Sequence, residues 1–574
     1  MHSKLLRRFI TTSFTLLLVA LLSVPPVGLS IYAQQKRQTQ RSRIRLVVGI
    51  VIDQFRYDYL MRFEDQFGEG GFKRLLNSGA VFANANYPYT PTITACGHAA
   101  FMSGTTPAYN GIIGNEWFDR ASGKRVTSVV DDKVELLGGK PDGKGASPRR
   151  LIGSTLGDQL KLRTAGQARV IGVSYKDRAA ILPSGKHPNG AYWYDSSNGA
   201  FVSSTYYFSA LPEWVQKFNR ERRVDRYFDK VWNRLLPEAA YARSLPDDSA
   251  YETPDKDWSA GRTFPYRING GEAQPGAKFY KQFEFTPWAN EHLIAFAKTA
   301  VEQEKLGADD VPDLLTISFS ANDLLGHSFG PYSQEMQDIT LRTDRILADF
   351  FNYLDQRVGL QNTIIVLTAD HGVGPVPEHA QEYGMGGRID GKKITETIQA
   401  ALNQRFGHDQ WLLEMDKDKY LINGNVYFNY ETIARHQVTR ADVEQVACTA
   451  ALTVPGLANC YTRTQFATGQ LPHTAFANNA ALGFHPDRNG DLVLVSQPFY
   501  LTGETITASH GTPYRYDTHV PVIFYGAGIN AGVFLNPSAP IDIAPTLAAI
   551  LKINPHSNAT GQILTEAIRI NQKP

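Results

Sequence analysis

Asp323 and His327 stand four residues apart in NDLLGH, Asp370 and His371 are adjacent in LTADHG, and His510 lies in SHGTPY ahead of Asp517 and His519. Residues four apart share one face of a helical turn, so Asp323 and His327 can act as a pair. Zinc takes imidazole and carboxylate ligands in sites of about four positions. Together with Asp53, which closes the apolar run RLVVGIVI, these residues could hold two ions. A single Asp at a strand end usually caps a helix or a turn, and a single His is usually packed or solvated. The combination points to metal. Residue types alone leave open whether His485, His510 or His519 completes the second set.

A second group of residues could handle an anion. Thr94 opens TACGHAAFM, a stretch suited to a helix start, behind the extended segment Tyr89 to Ile93. Free N–H groups and the dipole make a helix N-terminus attractive to phosphate. A threonine hydroxyl becomes a competent nucleophile only when a base or a metal removes its proton. Otherwise threonine at this place caps the helix, and Thr90 and Thr92 offer the same hydroxyl. Asn115, in GNEWFDR, and Lys176 with Arg178, in SYKDR, add donors. Taken alone, SYKDR is a solvated loop after the strand Ala168 to Val173. His98, one helical turn after Thr94, is either a support for this site or a buried, hydrogen-bonded histidine.

Positioning these residues falls to a set of buried strands. Arg45 to Ile52, Asp313 to Ser320 and Thr363 to Thr368 are apolar, β-branched runs, each delivering an aspartate at or just beyond its end. Amphipathic helical stretches such as Glu291 to Glu304 and Met336 to Val358 alternate with them. This alternation predicts a doubly wound, mostly parallel α/β sheet with helices on both faces, whose ligand site lies at the carboxyl ends of the strands. The expected catalytic domain runs from 44 to 555, with insertions at about 138–285 and 405–480 and a tail at 556–574. Lys4, Arg7 and Arg8, an apolar run from Phe9 to Leu22, and Ala33 before Gln34 predict a secretory leader over 1–33, followed by a polar linker over 34–43. Pro25, Pro26 and Gly28 interrupt the apolar stretch, against a retained anchor, and no later run reaches the ~18 apolar residues of a spanning helix. A net charge of +2 calls for no nucleic-acid partner. Of three cysteines, Cys448 and Cys460 can pair in an oxidising compartment, and Cys96 reads as a small buried hydrophobe.

Asp53, PTITACGH, GIIGNEW, SYKDR, NDLLGH, ADHG and HGTPY occur in an order that resembles the type I phosphodiesterase and nucleotide pyrophosphatase-like members of the alkaline phosphatase superfamily. The resemblance is strongest to the phosphate-irrepressible alkaline phosphatases of the PafA type and spans about Ile44 to Leu551. It implies an alkaline phosphatase-like fold and two Zn2+ ions, one held by Asp53, Thr94, Asp370 and His371 and the other by Asp323, His327 and His510. It singles out Thr94 as a nucleophile that passes through a phosphothreonine, and it brings Asn115, Lys176 and Arg178 onto the transferred phosphoryl group. Diesterase relatives lack the Lys and Arg pair, and a dianionic monoester gains more from cationic donors than a diester does. The expectation is therefore a monomeric, periplasmic or secreted phosphate monoesterase acting on small molecules, with no integral membrane segment after leader removal. A phosphodiesterase using the same metals and a non-catalytic exported binder are the alternatives. A sulfatase is disfavoured, because Cys96 is followed by Gly97 and His98 and the C/S-x-P-x-R motif of those enzymes is absent.

Overall fold

The computed structural model describes residues 44–569, apart from 141, 416–419, 504–505 and 557. The expected leader (1–33) and linker (34–43) lie outside the described residues, as does the last part of the tail. Among the described residues no helix is long and apolar enough to cross a membrane.

The largest sheet has eleven strands among the described residues, parallel at its centre and mixed towards its edges. Its central strands are β1 (Leu46–Ile52), β2 (Val170–Ser174), β3 (Gly190–Asp195), β4 (Asp313–Phe319) and β5 (Thr363–Thr368), in the spatial order β5-β1-β4-β2-β3. Val51 pairs with both Ser318 and Thr368, and Ser318 pairs with Ser174, so four strands end level. That register makes the residues after β1, β2, β4 and β5 converge on one edge. Helices cover both faces, as the strand and helix alternation predicts.

Side chains of β1 alternate between the two faces, as the two-residue strand period requires. Val48, Ile50 and Ile52 join the core beneath the long helix Gln334–Arg357, whereas Val47 and Val51 pack with Phe101 and Met102 of helix α1 (Thr94–Ser103) and with the helix Ile543–Leu551. Gly49 shares the α1 side of the strand. A Cβ there would lie 2.6 Å from Met102 Cε and 2.8 Å from Phe101 Cζ. The missing side chain lets α1 sit close against β1, and that closeness sets where Thr94 falls.

Two stretches differ from expectation. The segment expected as an insertion over 138–285 supplies β2, β3 and the strand Ala200–Ser204 to the main sheet. The strand read at Ala168 to Val173 corresponds to β2, whereas the partly aromatic strands Gly190–Asp195 and Ala200–Ser204 carried no comparable apolar run. The segment expected over 405–480 extends further on both sides. A four-stranded sheet (Leu421–Ile422, Asn425–Val426, Leu492–Ser496, Leu457–Thr462) packs with the helices Gly391–Phe406 and Arg440–Ala451 around its own apolar cluster. Cys448 and Cys460 form a disulfide joining the helix to the strand at 457–462, and Cys96 is buried in α1. The described part of the expected tail packs on the fold. Leu564 and Ala567 are buried against the helix Ile543–Leu551, with apolar contacts too widely spaced to register as a period.

The loop around 246–265 braces one side of the site. Thr253 N donates to Thr507 Oγ1 (2.9 Å), and Thr507 N donates to the carbonyl of His327 (3.1 Å). Beside it, Glu252 is buried with neither carboxylate oxygen partnered, and Glu335 accepts from Tyr266 (2.7 Å) while its other oxygen stays unpartnered. Burial and then the charge of Glu335 push Glu252 up to about 10, and burial pushes Glu335 up to about 8. Both groups stay protonated in the fold at pH values where the unfolded chain has ionised them. They therefore cost stability progressively as pH rises through the unfolded carboxyl range of about 4–5 and on towards the folded values. Urea denaturation at fixed metal content should show stability falling between pH 5 and pH 9. Glu252→Gln should flatten that slope and stabilise the protein at pH 9 by on the order of a few kcal/mol; an unchanged slope would refute this account.

Candidate metal centre

Most site residues owe their place to a strand end and the helix that follows it. Asp53 follows β1 directly, and Asp370 and His371 follow β5 after one residue. Asp323 and His327 share one face of helix α3 (Ala321–Phe329), which begins two residues after β4. Lys176 precedes helix α2 (Asp177–Ser184), two residues after β2. His510 arrives from a distant loop held by Asp517, whose Oδ2 accepts from Thr512 N (2.8 Å) and Thr512 Oγ1 (2.6 Å). α1 presses so closely on Asp370 that a Cβ on Gly97 would lie 2.2 Å from the Asp370 carbonyl oxygen.

The ligand atoms fall into two sets. Those of Asp53, Asp370 and His371 lie within 4.8 Å of one another, as do those of Asp323, His327 and His510. The rings of His371 and His510 stack at 3.4 Å, so the sets adjoin. Every histidine in them is oriented alike. Nδ1 donates to a backbone carbonyl: His371 to Gly372 (2.9 Å), His327 to Ala508 (2.7 Å) and His510 to Thr92 (2.7 Å). With Nδ1 carrying the proton, Nε2 bears the lone pair of the neutral ring, and all three Nε2 atoms face aspartate oxygens at 3.1–3.6 Å.

The electrostatics fit cations. Asp53, Asp323 and Asp370 are all buried, and Lys176 bridges the first two, its Nζ 2.6 Å from Asp53 Oδ2 and 2.5 Å from Asp323 Oδ2. Asp53 Oδ1 and Asp370 Oδ2 remain buried without a hydrogen-bond partner. Burial, then the charges of Asp323 and Asp370, hold Asp53 well above the usual carboxylate range. Burial pushes the Lys176 ammonium down, yet Asp323 and Asp53 outweigh it and raise it overall. Burial together with the neighbouring His371 and His327 drives His510 well below its ordinary value, which favours the neutral ring that a metal needs. Divalent ions would satisfy both orphaned oxygens and the excess negative charge.

Thr94 is the first helical residue of α1, and the capping position falls to Ile93, which has no side chain able to cap. Its hydroxyl is thus not spent on the helix and lies 3.4 Å from His371 Nε2. Thr90 and Thr92 are engaged elsewhere, donating to the carbonyls of Gly511 (3.1 Å) and Thr512 (2.9 Å). Asn115 Oδ1 accepts from the Ala95 backbone (3.0 Å), which fixes the amide's orientation one residue from Thr94. Arg178 lies in the first turn of α2 with its Nε buried and unpartnered, and it makes no described contact with the metal-ligand sets. His485 and His519 are outside both sets; His519 Nε2 bonds the Ala83 carbonyl (2.9 Å).

The family model for type I phosphodiesterase / nucleotide pyrophosphatase matches residues 47–513. The chain belongs to this family. Alkaline phosphatase PhoV of Synechococcus elongatus is 37% identical over 528 residues, covering 92% of this chain and 94% of PhoV. A Myroides odoratus protein named calcium-transporting ATPase is 38% identical over 529 residues, with 91% and 94% covered. Alkaline phosphatase PafA of Elizabethkingia meningoseptica is 36% identical over 537 residues, with 92% and 95% covered. The crystal structure of wild-type PafA superposes with a TM-score of 0.84 at 35% identity, covering 92% of this chain and 99% of that one. Membership in this phosphodiesterase family, with two metal-ligand sets in place, makes the chain a metal-binding hydrolase of alkaline phosphatase-like fold.

Gln54 escaped sequence reasoning. Its backbone is left-handed (φ 63), a conformation that costs a non-glycine residue roughly 1–2 kcal/mol. In return its N–H reaches Asp370 Oδ1 (3.1 Å) and its carboxamide reaches Asp323 Oδ1 (2.8 Å), tying one metal-ligand set to the other. Space for the carboxamide comes from Gly326, where a Cβ would fall 1.9 Å from Gln54 Oε1. His98 is similarly placed: Nδ1 donates to the Thr94 carbonyl (2.8 Å) and lies 3.2 Å from Asp370 Oδ2, while Nε2 meets Ser318 Oγ (2.7 Å). Gln54 carries no sequence signal beyond its position next to Asp53. Partners of metal ligands typically control about 10–100-fold in metal affinity. Gln54→Ala should therefore release metal to a competing chelator at a concentration at least about tenfold lower than the parent, with an unchanged circular dichroism spectrum. Parent-like metal retention would remove Gln54 from this role.

Proposed function

We propose that the chain is an exported, zinc-dependent alkaline phosphatase that hydrolyses small phosphate monoesters through Thr94. The observation that carries this reading is the Thr94 hydroxyl, left free of capping and held against His371 inside two adjoining metal-ligand sets. The names of the PhoV and PafA relatives support phosphate esters as the substrate class.

Asp53, Asp370 and His371, with Thr94, would hold one zinc, and Asp323, His327 and His510 the other. When bound, the ions would lower the proton affinity of the threonine hydroxyl and of water, and offset charge on the phosphoryl and leaving oxygens. Thr94 gives up its hydroxyl proton to solvent and its Oγ1 attacks phosphorus in line, the bond to the ester oxygen breaks, and the alcohol departs with a proton taken from solvent. Water attacks the phosphothreonine in a second displacement, the Thr94 Oγ1–phosphorus bond breaks, and inorganic phosphate leaves. Asn115, fixed by Ala95 N–H, offers its amide donors to a non-bridging oxygen. Lys176 exchanges its carboxylate partners for a phosphoryl oxygen, and Arg178 supplies a second cationic donor. Two such donors favour a dianionic monoester over a monoanionic diester. The leader-like N-terminus and the Cys448–Cys460 disulfide support an exported location, and the reading includes a monomer with no nucleic-acid partner.

Thr94→Ala should lower kcat for an aryl phosphate monoester by at least about a thousandfold while bound zinc, measured by elemental analysis, stays near two per chain. Replacing Lys176 and Arg178 together by Ala should cut monoester kcat/KM by at least about a hundredfold and leave a matched diester within about tenfold. Higher parental kcat/KM for the diester would instead support a phosphodiesterase. Zinc-free protein with no turnover of either ester would support a binder.

A further inference from the structure

A cleft of about 330 Å³ opens between the metal centre and the small four-stranded sheet, at the lower end of the size range of ligand sites. One wall is formed by Ile93, His510 and Thr512, the other by Asn423, Leu494 and Tyr500. Ile93 immediately precedes Thr94. His510 belongs to the set that adjoins the one facing the Thr94 hydroxyl. Asn423, at the turn between Leu421–Ile422 and Asn425–Val426, donates to the carbonyl of Glu116 (3.2 Å), and a Cβ on Gly114 would lie 2.6 Å from its Nδ2. The turn therefore clasps both neighbours of Asn115. Residues adjacent to Thr94 and Asn115, together with His510 itself, thus border one cavity.

In-line displacement puts the departing oxygen opposite the attacking one. On the phosphatase reading Thr94 attacks from the set of Asp53, Asp370 and His371, and the ester oxygen leaves towards the adjoining set of Asp323, His327 and His510, of which His510 lines the cleft. We propose that this cleft receives the leaving-group alcohol and selects uncharged, partly apolar alcohols over those bearing a remote anionic group. The inference rests on the phosphatase reading and adds the substrate's organic half to it. Among the described residues no Lys, Arg, Asp or Glu lines the cavity. Leu494, Tyr500 and Ile93 offer apolar surface, while Asn423 and Thr512 offer neutral polar groups. A carboxylate or second phosphate seated there would shed water and meet no counter-charge, an unfavourable transfer.

The test uses the zinc-loaded full chain and two aryl phosphates of matched leaving-group pKa, one neutral and one with an ionised carboxylate on the ring. The neutral ester should exceed the anionic one in kcat/KM by at least about tenfold. Thr502→Lys, at an exposed position on the cleft rim, should reduce that ratio at least about threefold, and high salt should restore it. A parental ratio near one, or a ratio that Thr502→Lys does not move, overturns the proposal while the phosphatase reading stands. No turnover of either ester by the zinc-loaded parent would overturn the phosphatase reading, and the leaving-group cleft with it.

Discussion

Three aspartates buried at one end of a sheet, only two of them bridged by a lysine, are the constraint around which this molecule is arranged. Asp53, Asp323 and Asp370 repel one another in a low-dielectric setting, and Lys176 touches only the first two. Two carboxylate oxygens are left with no hydrogen bond at all, a costly state for a buried anion. Few interactions other than divalent cations could offset such a charge without filling the space a substrate needs. The histidines reinforce this, since all three spend Nδ1 on backbone carbonyls and turn Nε2 to the same region.

Holding this charge together requires a rigid surround, and the sheet supplies it. Level strand ends converge the aspartates, while missing side chains at Gly49, Gly97 and Gly326 allow α1 and the Gln54 carboxamide to approach more closely than a Cβ would permit. Each is a local sacrifice of packing surface for proximity. Gln54 adds a backbone cost of its own, and strain of this kind persists only where the surroundings over-determine the conformation. The hydrogen bonds it makes to Asp370 and Asp323 show what the strain secures.

The small sheet and its two helices have their own apolar cluster, yet their functional meaning lies in one turn. Asn423 contacts the chain on either side of Asn115, and the strand Leu492–Ser496 forms part of the wall facing His510. A subdomain with little chemical signal in its sequence thereby borders the metal-ligand set of His510 and shapes the space beside it. The braced loop around Glu252 plays a comparable part on the other side, through Thr507 and the His327 carbonyl.

By itself the sequence determined the strand ends, the metal-ligand residue types and the doubly wound sheet, because each leaves a local trace: an apolar run, a four-residue spacing, an adjacent Asp-His pair. Strands between 170 and 204 were harder to read as part of the main sheet, since loops with no period surround them. The choice of Thr94 over Thr90 and Thr92 had no basis in residue type, and only resemblance singled it out. Tertiary structure separates the three by physical means: loop 511–512 takes the hydroxyls of Thr90 and Thr92, while Ile93 takes the capping position and leaves Thr94 facing His371. His510 over His485 and His519 was likewise named only by resemblance, and in the fold it is His510 that lies with Asp323 and His327; the contacts of Gln54 appear only in three dimensions, because contacts hundreds of residues apart in the chain leave no periodic signature in it.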